Sequence, residues 1–339
     1  MEGIFFQLML CATFFVIFVL VTAVSAEAKV HTFKITPKEA YSGELKSDIL
    51  PVLTVESGDT VIFNTVTLYE GKLVPDMSID EVLKLRDEVL ARGNTVYAFT
   101  GPFYVNGAEP GDVLEIRIKR IAPGDFGISY ICPGDLKRGA LPEAFKNGWS
   151  KTLHYSADKK TSIFSPGVVL PLRPFLGAMA LAPKPGEKHS PAVPNYFAGN
   201  IDNEELVAGT TLFVPVNVPG ALFMAADAHA CQGDGEVCLT ASETYFEEVE
   251  LEFVVRKDMK LSRPMAETKT HWISMGFHES LDEAMKIALS DAIDFLAGEK
   301  KLSREEAYVL CSLAVDFRVT QVVDGNKGIH GMIPKEIFI

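Results

Sequence analysis

The sequence predicts a mainly β protein with α+β portions, closed by a helical hairpin. Two observations carry this reading. Apolar residues alternate at period two in segment after segment up to about residue 260, and capping boxes precede apolar stripes at helical spacing near the end. Val30 to Ile35 places His31, Phe33 and Ile35 on one face. A turn at Ser57-Gly58-Asp59 leads into a strand from Thr60 to Val66. A matching turn at Pro110-Gly111-Asp112 leads into Val113 to Lys119, where Leu114, Ile116 and Ile118 oppose Glu115, Arg117 and Lys119. One apolar and one wet face is antiparallel-sheet patterning. Further strands are expected at Thr211–Val218 and Val249–Val255. Ser78-x-x-Glu81 opens a helix to about Ala91, closed by Gly93. Ser280-x-x-Glu283 opens a second, with Gly298 after it. Ser303-x-x-Glu306 opens a third, expected to run to about Val319. The last two form a hairpin of helices that must lie on a sheet face. Pro183–Tyr196, with four prolines, reads as a loop, and no Gly/Ser-rich linker divides the chain.

The 339 residues are 47% hydrophobic and 23% charged, an ordinary globular balance that excludes disorder. Lys and Arg total 32 against 45 Asp and Glu, a formal net charge of −13. With no basic run longer than two residues, nucleic acid and anionic lipid surfaces are excluded as partners on charge. From Ile4 to Val24 the only polar side chains are Gln7, Thr13 and Thr22, and the run ends in Val24-Ser25-Ala26. Small residues at these positions suit an export signal cut before Glu27. The run is also long enough to stay as a membrane anchor, and Glu2 stands where a basic residue is usual. The expected organisation is residues 1–26 as signal or anchor and 27–339 as one domain, β-rich over 27–260 and helical over 261–339. The expected location is secreted or periplasmic, or membrane-anchored if the run is retained. Cys132, Cys231, Cys238 and Cys311 then remain, as free thiols or with one bridge.

No H-E-x-x-H, G-x-S-x-G, P-loop or G-x-G-x-x-G motif occurs. Chemistry concentrates between Phe197 and Thr244. An apolar run, Pro219 to Ala226, ends in Asp227-Ala-His229-Ala-Cys-Gln232-Gly-Asp-Gly-Glu236. On an extended strand Asp227 and His229 share a face, a pairing that suits a divalent ion such as zinc. A surface hairpin with a solvated histidine is the plainer alternative. The Gly-Asp-Gly-Glu turn returns Glu236 as a ligand or proton carrier, and Asp202 approaches from an earlier loop. His31, His154, His189, His271, His278 and His330 read as surface or structural histidines. Val237-Cys238-Leu239 looks like a buried strand, which disfavours Cys238 as a nucleophile.

Several collinear motifs carry a family resemblance. They are Thr100-Gly-Pro-Phe-Tyr-Val-Asn-Gly-Ala-Glu-Pro-Gly-Asp-Val-Leu-Glu-Ile116, Pro174-Phe-Leu-Gly177, Gly199-Asn-Ile-Asp-Asn203 with Leu206 to Pro215, and Val218-Pro-Gly-Ala-Leu-Phe223 with Asp227 to Cys238. Together with the tail from Glu306 to Lys335, they resemble the acetamidase/formamidase family. The resemblance implies a jelly-roll-like antiparallel sandwich core and hydrolysis of short amides to the acid and ammonia. It also implies a metal-assisted site around Asn200, Asp202, Asp227, His229 and Glu236. On that reading Asp227, His229 and Asp202 hold a divalent ion, zinc by preference. Glu236 moves the proton, and Asn200 or Gln232 donates to the oxyanion. The partners are a small amide and further copies of the chain. The sequence departs from the pattern at Tyr97, where relatives often carry His, and in Asn64–Tyr69, which lacks the acidic residue that many carry there. The capped helix after Ser78 is extra material. The alternative class is a secreted β-sandwich binding protein that keeps the fold without the chemistry.

Overall fold

A computed structural model describes residues 27–339; the expected signal or anchor at 1–26 lies outside the described residues. Most strands fall into two sheets. The larger has nine strands in the order Val30–Phe33, Thr60–Phe63, Phe246–Arg256, Val113–Pro123, Thr211–Pro215, Met265–Glu267, His271–His278, Lys327–Pro334 and Asp316–Gln321. The other has eight, with Phe223–His229 near its centre. One core lies between them, with Phe63, Phe253 and Leu114 from the first sheet and Phe103, Leu176 and Phe223 from the second. Phe223 and Phe253 meet across it at 4.9 Å between ring centroids.

The two Gly-Asp turns are built alike. Asp59 accepts from the amide of Glu56, and Asp112 from that of Glu109, each at 3.0 Å. Gly58 and Gly111 supply positive φ at 99° and 92°, conformations open to glycine at little cost. Each turn launches a strand with an apolar face in the shared core. Glu115 departs from the wet-face expectation: it is buried, and Arg117 and Arg256 neutralise it. Two pairings are parallel, Val30–Phe33 with Thr60–Phe63 and Leu53–Val55 with Thr100–Val105, so the sheets are not purely antiparallel.

The helix Ile79–Ala91 has both bonds of its capping box, and Gly93 follows with φ 77°. It covers the face of the eight-stranded sheet turned away from the shared core, burying Val82 and Val89 with Tyr69, Tyr97 and Met224. The helices Leu281–Glu299 and Arg304–Ala314 lie on the nine-stranded sheet. Ala284 and Ala288 allow close approach; a Cβ on Gly276 of the sheet would stand 2.1 Å from the carbonyl oxygen of Ala284.

Three helix expectations are corrected. Ser280 precedes its helix but its side chain makes no cap bond, and Gly298 lies inside that helix. The third helix ends at Ala314, where β-branched Val315, Val319 and Thr320 favour the strand Asp316–Gln321. Residues 261–339 are therefore not a helical part alone: they add four strands to the nine-stranded sheet. All four described cysteines are free. Val237-Cys238-Leu239 is loop rather than buried strand, with Val237 62% exposed and Leu239 at φ 95°. No described helix is long and apolar enough to cross a membrane.

Candidate active site

The site forms where the alternation of one strand is broken. In Phe223–His229, residues Phe223 and Ala225 face the shared core, while Met224 and Ala226 face the helix-covered side. Regular pleating would put Ala228 with Ala226, yet it packs in the shared core. The inversion falls at Asp227, whose φ is 60°. On the neighbouring strand Phe175–Ala180 the same inversion occurs between Leu176 and Ala178, and the registers Leu176–Ala228 and Ala178–Ala226 frame it. The extended-strand premise for Asp227 and His229 is thus incorrect locally. The two side chains meet nonetheless: Asp227 Oδ2 lies 3.3 Å from His229 Nε2.

His229 stands opposite Glu243 in antiparallel register, and Glu243 Oε2 lies 3.3 Å from the same nitrogen. Its other nitrogen, Nδ1, is 3.6 Å from Asp202 Oδ1. Phe175 holds the imidazole edge-to-face at 5.2 Å. Gly177 makes the space. Its carbonyl accepts from the amides of Ile201 and Asp202 at 2.9 and 3.1 Å. A Cβ there would stand 2.5 Å from Asp202 Oδ1 and 2.7 Å from Asp227 Oδ2. Asp202 and Glu236 also have left-handed backbones, with φ 53° and 42°. Three non-glycine carboxylates at positive φ in one site is strain of the kind that concentrates at functional centres, each costing on the order of 1–3 kcal/mol.

Both amides expected as oxyanion donors bond to Asp202. Asn200 Nδ2 donates to Asp202 Oδ2 at 2.5 Å, and Gln232 Nε2 donates to the Asp202 carbonyl at 2.8 Å. Both hold Asp202 in place; Asn200 also lines the cavity.

Sequence reasoning did not single out Glu243, Asp324 or Gly177. Asp324 comes from the connection between the last two strands, where Gln321 Oε1 accepts from the amides of Val323 and Asp324. The same region supports the Glu236 turn: the amide of Gly235 donates to Thr320, and that of Val322 to Gly235. His330 is buried rather than superficial, held by Thr320 Oγ1 at 2.8 Å, and burial keeps it neutral with a pKa near 3.

Five buried carboxylates thus converge on one imidazole. Burial, then the charges of Glu236, Asp324 and Asp227, pushes Asp202 well above the carboxylate range. Burial, then Asp324 and Glu243, does the same to Glu236, and burial raises Asp324 to about 7. Burial opposes the charged form of His229, but Glu243 and Asp227 outweigh it and hold the imidazole well above its usual range. Both nitrogens of His229, with Asp202 Oδ1, Glu236 Oε2, Glu243 Oε2 and Asp324 Oδ2, have no hydrogen-bond partner among the described residues. Buried polar atoms left unpaired are costly. A divalent cation would satisfy both the charge and the orphaned donor atoms. Two triads are close enough to hold one: Asp202, His229 and Glu236, or Asp227, His229 and Glu243, each with its ligand atoms within 4.8 Å of one another.

The cluster opens into a cavity of about 120 Å³. Tyr69, Tyr97 and Tyr130 form walls, and the hydroxyls of Tyr69 and Tyr130 are 2.7 Å apart. Tyr97 is buried, and burial with the charges of Asp227 and Asp324 pushes its hydroxyl far above the usual range. It is a neutral O–H on the cavity wall. Asn64, in the segment lacking an acidic residue, is structural, bonding the backbone of Ile35 at both amide atoms.

The acetamidase/formamidase family model matches residues 36–190 and 186–339. The crystal structure of an acetamidase from Bacillus halodurans is similar, with 31% identity over 90% of this chain and 98% of that one, and a TM-score of 0.81. A Schizosaccharomyces pombe protein named "Putative formamidase" is 26% identical over 54% of this chain, and the acetamidase of Mycolicibacterium smegmatis 26% over 56%. These two matches span 56% and 59% of the relatives' own lengths.

Proposed function

The chain belongs to the acetamidase/formamidase family, and from that premise we propose that it hydrolyses short linear amides to the carboxylate and ammonia. The observation that carries this reading is the convergence of Asp202, Asp227, Glu236, Glu243 and Asp324 on His229, with donor atoms unpartnered, at the end of a small cavity. Under this reading the triad Asp227, His229 and Glu243 holds a divalent ion at Nε2 while Asp202 stands at the other imidazole nitrogen, and mixed imidazole and carboxylate donors suit zinc. When bound, the ion supplies Lewis-acid polarisation of a carbonyl and a lower pKa for water.

The chain's own residues do the rest. Glu236 Oε2 faces the cavity without a partner, and burial raises its proton affinity. It therefore suits taking a proton from water and returning it to the departing nitrogen. The second N–H of Asn200 and the hydroxyl of Tyr97 are available to orient the amide. Asn200 and Gln232 keep Asp202 aimed inward. The tyrosine walls exclude bulk water and strengthen each charge interaction. The jelly-roll-like description of the two-sheet core and a homo-oligomeric state belong to the same proposal. So does export, which rests on the apolar run ending at Ala26 and is tested by a mature N-terminus near Glu27 in mass spectrometry.

Ammonia release from formamide, acetamide and propionamide, before and after chelation, tests the function. Turnover lost on chelation and restored by zinc supports it. Release that persists in metal-free protein overturns the metal assignment. No release from any amide, in folded and metal-loaded protein, overturns the activity.

A further inference from the structure

The cavity is lined by both signs of charge. Its lining carries Asp227, Glu236, Glu243 and Asp324 of the cluster around His229, and also Arg86, half-buried, and Arg138, exposed; neither arginine pairs with any of these carboxylates. Both arginines lower the proton affinity of the Cys132 thiol, which also lines the cavity, and Arg86 does the same to the Tyr69 hydroxyl. Arg138 is distinctive. Every other arginine of the described residues pairs with a carboxylate, as expected in a chain with net charge −13, and Arg138 pairs with none. Arg86 has only its neighbour Asp87, which is 72% exposed, a surface pair of little strength. Arg86 stands on the helix Ile79–Ala91.

Size agrees with charge. A cavity of about 120 Å³ has room for several water molecules. Formamide, with three heavy atoms, would leave most of it unfilled. The wall also includes Tyr69, Tyr97 and Tyr130 with Leu239, which suits a short methylene chain.

We propose that the preferred substrate is a primary amide carrying a carboxylate a few carbons away, the monoamide of a short dicarboxylic acid. This rests on the amidase reading above. The carboxamide lies at the His229 end, and the carboxylate is received by Arg86 and Arg138, whose planar forks match its geometry. In the reaction a water oxygen bonds to the amide carbon and the C–N bond breaks. Nitrogen leaves with the water's protons as ammonium, so one monoamide anion and one water give a dicarboxylate and ammonium.

The test uses the full metal-loaded protein with succinamate and its neutral isostere 4-methylpentanamide, and succinate as a binding probe. The expected result is a higher kcat/KM for succinamate. In Arg86→Gln and Arg138→Gln the ratio of the two values should fall by roughly tenfold to a hundredfold, the range for a lost hydrogen bond to a charged group. Arg138→Lys should restore part of it. Calorimetric binding of succinate should weaken in step. No preference for succinamate, with acetamide still hydrolysed, overturns this inference and leaves the amidase reading intact. A ratio that does not move in either arginine variant also overturns it. No ammonia from any amide, with succinate bound in an arginine-dependent manner, overturns the amidase reading and keeps the anion-binding end.

Discussion

A Cβ on Gly177 would stand 2.7 Å from Cε1 of His229. The strand beside the imidazole has left out the one atom that would occupy the centre of the cluster. The Gly177 carbonyl, meanwhile, holds the backbone of Asp202. Gly177→Ala should therefore act on the site before it acts on the fold. Overpacking a tight interior costs about 1–3 kcal/mol, and relief requires Asp202, Asp227 or His229 to move. The expected outcome is a modest fall in melting temperature with a large loss of bound metal and of ammonia release. Metal content by elemental analysis and a thermal melt on the same sample check it. Full metal occupancy in the alanine variant would contradict the assignment of this cluster.

Glu236→Gln separates proton transfer from metal holding. Glutamine keeps the shape but cannot carry the proton, and general acid–base groups contribute about 10²–10⁴-fold. Turnover should fall by at least the lower figure while metal content stays near that of the unmutated protein. If metal leaves with activity, Glu236 is a ligand in the triad with Asp202 and His229. Unchanged ammonia release in a folded, metal-loaded sample would remove Glu236 from the chemistry.

Glu243→Gln should give the opposite pattern. Its Oε1 accepts from the amide of Ala241, and a glutamine oxygen preserves that bond. Its Oε2, 3.3 Å from His229 Nε2, loses its charge. Weaker metal retention under graded chelation is expected, by roughly 10–100-fold if the residue acts as ligand or ligand support. Activity at saturating zinc should largely recover. Retention equal to the unmutated protein would leave Glu243 a structural partner of the imidazole alone.

How much of this was legible is best judged residue by residue. Asp227, His229 and Glu236 stand in one dense polar stretch after an apolar run, with Asp202 in an earlier loop, and local composition was enough to mark them. Glu243 lies in the same stretch, but its place opposite His229 depends on strand register. A connection of thirteen residues, 230–242, is too long for turn type to set that register. Asp324 had no local signal. Asp324-Gly325 reads as turn chemistry, and its burial depends on Gln321, which the sequence places just past a helix running to Val319. The fold shows the same division. The Gly-Asp turns and two of the capping boxes form as read, because their bonds are local. The C-terminal strands were missed, since the apolar residues of a short strand cannot be told from a helix continuing past Ala314.

The last expectation concerns acid and the cavity wall. Tyr69 and Glu70 both have left-handed backbones, with φ 57° and 58°, unfavourable for these residues by roughly 1–2 kcal/mol each. Something must hold them, and Glu70 is placed to do it: Arg92 donates to its carboxylate at 2.6 Å and Asn94 at 2.7 Å. These partners, Arg92 foremost, lower its pKa to about 2. The sign follows from linkage. A carboxyl with a depressed folded pKa stabilises the fold above its unfolded value, near 4.3, and loses that contribution as pH falls through about 2. The full shift would correspond to roughly 3 kcal/mol, and screening of the half-exposed Arg92 reduces it to about 1–2 kcal/mol. The unmutated protein should therefore lose stability between about pH 4 and pH 2 faster than Glu70→Gln, and the two should converge at the acid end. At pH 7 the variant should be the less stable. With Glu70 released, the Tyr69 hydroxyl should leave Tyr130, widening the cavity and raising KM for small amides more than it lowers kcat. Melts at stepped pH, with kinetics at pH 7, check both halves. A Glu70→Gln protein with an unchanged acid limb and unchanged KM would show that the strained turn is held by something else.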